Sequence, residues 1–153
     1  MHRQKRHFVR LASVLTAATV SVGAMPPAAD ATRTISLNET GRLHLVSKHG
    51  FTLNEVGAAS GSIKGTITVH LKIISSSRVS AEVTISPKGG SLSGSGTASY
   101  HKGAGSAGFS GALSVSRRSG SYAHAQGSGL KFSGTIAGSN DAITVHVTGR
   151  LSY

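Results

Sequence analysis

Ile63-Lys64-Gly65-Thr66-Ile67-Thr68-Val69-His70-Leu71-Lys72-Ile73 places an apolar residue or Gly at every odd position and a polar residue at every even one. A period of two over this length is the mark of a β-strand with one dry and one wet face. Such a run extends about 35 Å, longer than the usual globular strand and suited to a barrel or a large sandwich.

The same alternation continues downstream. Val79, Ala81, Val83 and Ile85 alternate with Ser80, Glu82 and Thr84, and a turn at 75–78 joins this strand to the first as a hairpin that sets Ile73 opposite Val79 and His70 opposite Glu82. Pro87-Lys88-Gly89-Gly90 has Pro early and Gly late, as such turns require. Leu92, Gly94, Gly96, Ala98 and Tyr100 form the next dry face, and Ala107, Phe109, Gly111, Leu113 and Val115 the one after it. With 102–105 as the loop, Ala98 pairs with Phe109, Gly96 with Gly111, Gly94 with Leu113 and Leu92 with Val115. Glycines at mid-strand fit strands that bend hard to close on themselves. Arg117-Arg118-Ser119-Gly120 reads as a turn into a strand at 121–126, and Gly127-Ser128-Gly129 as a tighter turn into Leu130, Phe132, Gly134 and Ile136. Ile143, Val145, Val147, Gly149, Leu151 and Tyr153 then alternate to the last residue. A first strand at 42–48, with Leu43 and Leu45 on its dry side, brings the number to eight, and 51–60 has no clear period and reads as a loop. The expectation is an all-β domain, an up-and-down antiparallel β-barrel of about eight strands, which leaves no exposed sheet edge.

The 153 residues suit one domain. Arg3, Lys5, Arg6 and Arg10 form a basic head, residues 11–22 a short apolar run, and Ala29-Asp30-Ala31 a small-x-small cleavage site, the order of a secretory signal peptide. About a dozen apolar residues fall short of the ~20 that span a bilayer as a helix. The sequence therefore divides into a leader, 1–31, and a secreted barrel domain, 32–153, with no transmembrane helix after cleavage. Cysteine is absent, so neither disulfides nor zinc-thiolate chemistry enter. Of sixteen Lys and Arg against five acids, removal of the leader's four cations and Asp30 leaves twelve against four. That surplus favours anionic polymers as partners, or serves only to keep a secreted protein from self-association.

With 117–120 as the loop, Val115 lies opposite Tyr122, Leu113 opposite His124 and Gly111 opposite Gln126. Three polar side chains then point into an apolar barrel, where a ligand would satisfy them, and Tyr100 and Tyr153 would join the lining near an end. A one-residue bulge would invert this, turning Ala123, Ala125 and Gly127 inward and His124 to solvent. No histidine pair has metal-motif spacing with a carboxylate nearby, and no cofactor is indicated. Gly-x-Ser-x-Gly does not occur in a strand-turn-helix setting, and Glu39, Glu55, Glu82 and Asp141 fall on loops or the outer face, against a Ser-His-Asp hydrolase or a paired-carboxylate glycosidase. Three Tyr, four Phe and no Trp offer little stacking surface for specific nucleic-acid binding. The aromatic C-terminus is compatible with an outer-membrane barrel, but the outward faces carry Ser, Thr and Lys where lipid requires apolar residues.

The segments Gly96-Thr97-Ala98-Ser99-Tyr100, Gly108-Phe109-Ser110-Gly111-Ala112-Leu113-Ser114-Val115 and Ser119-Gly120-Ser121-Tyr122-Ala123-His124-Ala125-Gln126-Gly127 cover about a third of the chain. They resemble allene oxide cyclase-like and dirigent-like barrels, in which a Gly-x-Tyr-x-x-Ala-x-Gly type segment follows a strand carrying Phe-x-Gly-x-Leu. The resemblance implies the barrel and, for active members, an isomerase or cyclase that uses acidic and other polar residues in its cavity. With no acid at a predicted inward position, that catalysis is not carried over. The sequence thus points first to non-catalytic binding of a small, partly apolar ligand at Tyr122, His124, Gln126 and Tyr100, in the lumen or at its mouth. A basic surface that adheres to anionic wall or extracellular polymers comes second, and a cyclase or isomerase third.

Overall fold

The computed structural model describes residues 32–153, and the expected leader, 1–31, lies outside them. Eight strands follow one another: β1 (Thr34–His49), β2 (Thr52–Gly61), β3 (Gly65–Ser75), β4 (Arg78–Pro87), β5 (Gly90–Lys102), β6 (Ser106–Gly120), β7 (Gln126–Ala137) and β8 (Ile143–Ser152). Each pairs antiparallel with its sequence neighbours, and β1 pairs with β8, closing the barrel. Every strand therefore has two hydrogen-bonded neighbours supplied from within 34–152.

The predicted number of strands is right, but two of its members differ. The stretch 51–60, expected as a loop, is β2. Its inward positions are Leu53, Glu55, Gly57 and Ala59 while Val56 and Ala58 face out, so the two faces scarcely differ in hydropathy and no period shows. The strand expected at 121–126 is instead mostly a turn. Gly120, at φ 58°, reverses the chain, and the amides of Tyr122, Ala123 and Ala125 donate to the carbonyls of Ser119, Gly120 and Tyr122. Arg117 and Arg118, expected in a turn, extend β6 by pairing with Ser93 and Leu92. Gly127 to Gly129, also expected as a turn, lies within β7, where Gly129 at φ 60° marks a bulge between Ser128 and Lys131.

Elsewhere the expected faces hold. Ile73 pairs with Val79 and His70 with Glu82, as the hairpin required. The β5–β6 ladder is shifted by two residues from the expected register, pairing Ala98 with Gly111, Gly96 with Leu113 and Gly94 with Val115 up to a bulge. A shift of two keeps each side chain on its face, where a shift of one would invert it.

The interior is solid. Ile67, Leu71, Val79, Phe132, Val145 and Leu151 are fully buried, and the void among Leu37, Val83, Leu113 and Val147 measures about 20 Å³, too small for a ligand. Filling depends on large residues meeting glycine across the ladders: Phe109 faces Gly134 and Phe132 faces Gly111. A Cβ at Gly134 would strike the Thr144 carbonyl and the Phe109 ring, whereas one at Gly105, in the β5–β6 turn, would meet nothing within 4 Å. Gly134→Ala is therefore expected to cost about 3 kcal/mol and Gly105→Ala less than about 0.5 kcal/mol, read from urea unfolding midpoints. Equal small effects would show that the β6–β8 packing is looser than described.

Candidate functional site

An up-and-down barrel has two ends, and their chemistry differs. One carries Thr32 and Tyr153, the 62–64 loop, the β4–β5 turn and the 121–125 turn. It is closed by Ile63, Ala125 and Leu130, all buried. Glu39, inward on β1 and fully buried, accepts a hydrogen bond from the Ile63 amide through Oε1 and so ties the 62–64 loop across this end, while its Oε2 has no partner. Ser62 adds to the tie by accepting from the Asn38 amide at 3.0 Å and donating to the Ser36 carbonyl at 2.9 Å. Burial raises the Glu39 pKa, and the Ile63 and Ser62 amides offset part of the rise.

The other end carries the β1–β2, β3–β4, β5–β6 and β7–β8 turns and is open. A cavity of about 430 Å³ lies between the β1–β2, β5–β6 and β7–β8 turns. Its wall is apolar, from Phe51, Leu53, Ile73, Tyr100, Ala107 and Ile136, and its charged groups are Lys48, Lys102 and Asp141. Lys48 Nζ lies 2.6 Å from Asp141 Oδ2, while Lys102 has no acidic partner among the described residues.

Below Leu53 on the same face of β2 is Glu55, fully buried, with neither carboxylate oxygen in a hydrogen bond of ordinary geometry. Burial pushes its pKa up to about 7. The Ile143 amide offsets part of that effect, and the negative charge of Asp141 adds to it. Both acids contradict the sequence expectation that Glu39 and Glu55 occupy loops or the outer face, and with it the reason for setting aside carboxylate chemistry inside the barrel. The signal was present: carried back from Leu43, the parity of β1 reads Gly41, Glu39, Leu37 and Ile35.

The sequence-predicted residues are not one site. Tyr122 is half-buried at the closed end, its ring 4.8 Å from that of Tyr153, and burial and that neighbour raise its pKa. His124 and Gln126 are exposed there and, with Thr32, Ser152 and Tyr153, line a recess of about 420 Å³ outside the lumen. The expected opposition of His124 to Leu113 and Gln126 to Gly111 is replaced by Gly111 facing Phe132 and Gln126 pairing with Ser152. The inverted alternative fares only partly better, since Ala125 is buried but Ala123 and Gly127 are exposed. Tyr100 is buried at the open end, in the wall of the cavity.

On the outer surface His70 faces Glu82 but bonds the Asn54 side chain, and Glu82 pairs with Arg117. Among the described residues no cluster of three or more His, Asp or Glu could hold a metal ion. No family model, curated protein or solved structure matches this chain.

Glu55 carries a checkable consequence. Its carboxyl keeps a proton in the folded state that the unfolded chain releases near the ordinary value of 4.5. Its contribution is thus most favourable below pH 4.5 and is lost as pH rises to about 7, with Glu39 acting in the same sense. The displacement from 4.5 to about 7 corresponds to about 3 kcal/mol. Glu55→Gln is expected to raise the melting temperature at pH 8, change it little at pH 4.5 and flatten the profile between. An unchanged pH profile would mean that Glu55 is solvated.

Proposed function

We propose that residues 32–153 are an exported, non-catalytic β-barrel that binds a small, partly apolar ligand at its open mouth. One observation carries this reading: the barrel is filled throughout, yet about 430 Å³ remains open where its apolar wall meets Lys48 and Lys102. A cavity that joins apolar wall residues to charged groups at its rim suits an amphiphile whose tail replaces water along Leu53, Ile73 and Ile136. Lys102, free of an acidic partner among the described residues, favours a negatively charged head. The mouth rather than the lumen is the place for the ligand, with Tyr100 the retained member of the sequence-based set. His124 and Gln126 lie instead in a separate recess at the closed end, with Thr32, Ser152 and Tyr153.

A second reading, adhesion to anionic wall or extracellular polymers through the basic exterior, has its own support. Glu39 and Glu55 are sealed inside and the two outer acids are each ion-paired, so the surface is more one-sidedly cationic than the composition suggests. Such adhesion would weaken steeply with salt, whereas an apolar tail in the mouth would hold on.

Dodecanoate, a probe with a matching tail and head, is expected to raise the melting temperature of the protein, and dodecylamine to raise it less. Gly105→Trp, which occupies the mouth from a position with open space, is expected to abolish the rise, Lys102→Glu to weaken it roughly tenfold, and His124→Leu to leave it intact. No stabilisation by either amphiphile, or a rise unaffected by Gly105→Trp, would remove the mouth as the binding place.

A further inference from the structure

The large apolar side chains left exposed among the described residues are Val46, Phe51 and Ile74, at 61, 73 and 54 % exposure, and all three belong to the open end. Two of them are there because the ladders are interrupted. The β1–β2 register breaks between Leu45 and Ser47 and the β3–β4 register between Ile73 and Ser75, so Val46 and Ile74 are the unpaired residues of bulges and turn away from the barrel. Phe51 sits in the β1–β2 turn, and its carbonyl accepts from the Ile73 amide at 2.9 Å. The three thus crown the adjacent strands β1, β2 and β3.

The unpaired charge at this rim has one sign among the described residues. Lys72, Arg78 and Lys102 are exposed without acidic partners among the described residues, and Asp141, the one acid of these turns, is paired with Lys48. At the closed end Arg33, Lys64 and Lys88 are exposed, but the large side chains there, Tyr122 and Tyr153, are half-buried and packed on each other. Basic residues alone would suit any polyanion. Apolar tips among them ask for a partner that offers an apolar layer directly behind an anionic one.

We propose that the open end is a docking face for an anionic lipid bilayer, with Phe51, Ile74 and Val46 entering the interfacial layer while Lys72, Arg78 and Lys102 meet lipid phosphates. A soluble polyanion would satisfy the cations and leave Phe51 and Ile74 in water; a bilayer accommodates both. Either signal alone gives marginal, reversible attachment, and together they orient the barrel with its mouth toward the membrane. This goes beyond ligand binding and does not require it, although Phe51 and Lys102 also border the cavity and docking would open that cavity onto lipid.

The test uses residues 32–153, whose strands close on themselves, with phosphatidylcholine vesicles prepared with and without phosphatidylglycerol. The chain has no Trp, so Phe51→Trp supplies a single indole fluorophore at the rim. Co-sedimentation is expected only with phosphatidylglycerol, together with a blue shift of the emission of that fluorophore and its quenching by brominated lipid. Phe51→Ser combined with Ile74→Thr is expected to lower the partition coefficient roughly tenfold or more. Lys72→Glu with Lys102→Glu should lower it comparably, and Lys64→Glu with Lys88→Glu, at the closed end, should change it less than about twofold. All these positions are exposed, and unchanged melting temperatures will show that the variants fold.

Failure to sediment overturns the proposal. So does sedimentation that ignores the apolar double variant and falls equally with charge reversal at either end, the behaviour of unoriented polyelectrolyte adhesion. Self-association without vesicles that is lost in Phe51→Ser would make the patch a contact between copies and likewise overturn it. None of these outcomes bears on dodecanoate in the mouth, which is read by melting temperature without vesicles.

Discussion

Pairing of the first strand with the last is the constraint on which the rest of this molecule depends. β1 serves two ladders at once: Thr34 to Arg42 pair with β8, Glu39 to His49 pair with β2, and only the short overlap is shared. An offset of that kind is what staggered, tilted strands need in order to close into a cylinder. It also explains why β1, at 16 residues, is the longest strand. Without it β1 and β8 would each expose an unpaired edge, in a protein with no disulfide to compensate.

Closure in turn dictates the interior. A cylinder of eight strands has room for side chains and little else, so the inward positions must sum to one volume, and Phe109 and Phe132 are admitted because Gly134 and Gly111 stand opposite them. Two inward positions hold carboxyls, and their environments set different roles. Glu39 hydrogen-bonds the Ile63 amide and fastens the loop that closes one end. Glu55, unpartnered beneath the mouth, is a group whose burial disfavours its charged form and ties the stability of the barrel to pH. The two ends are therefore unlike for reasons already present in the packing.

Most of this architecture was legible in the sequence because alternation in β3, β4, β5 and β8 contrasts apolar with polar residues at nearly every step. It failed where that contrast fails. In β2 the outward Val56 and Ala58 are as apolar as the inward Gly57 and Ala59, and inward Glu55 looks like a surface residue. At 121–126 small Ser121, Ala123 and Ala125 alternate with Tyr122, His124 and Gln126, so a turn held by local hydrogen bonds and Gly120 imitates a strand. The gain and the loss left the number of strands at eight and displaced the site. Tyr122 and His124, expected to face inward, lie in a surface turn and Gln126 opens β7 beyond it, the cavity formed at the far end, and only Tyr100 belongs to both descriptions. Bulges were not legible at all, yet those at Val46 and Ile74 turn two apolar side chains outward at the rim.

The most direct test of the account is the amide hydrogen exchange of β1 and β8 in the protein. Closure predicts that the inter-strand amides among 34–42 and 144–152 are protected to the same free energy as those of β3 and β4, and that all are lost together in one cooperative opening. Exchange of β1 and β8 amides by local fraying, several kcal/mol below that of the central strands, would contradict it. The molecule would then be an open sheet, and neither the sealed interior around Glu55 nor the single open mouth would stand.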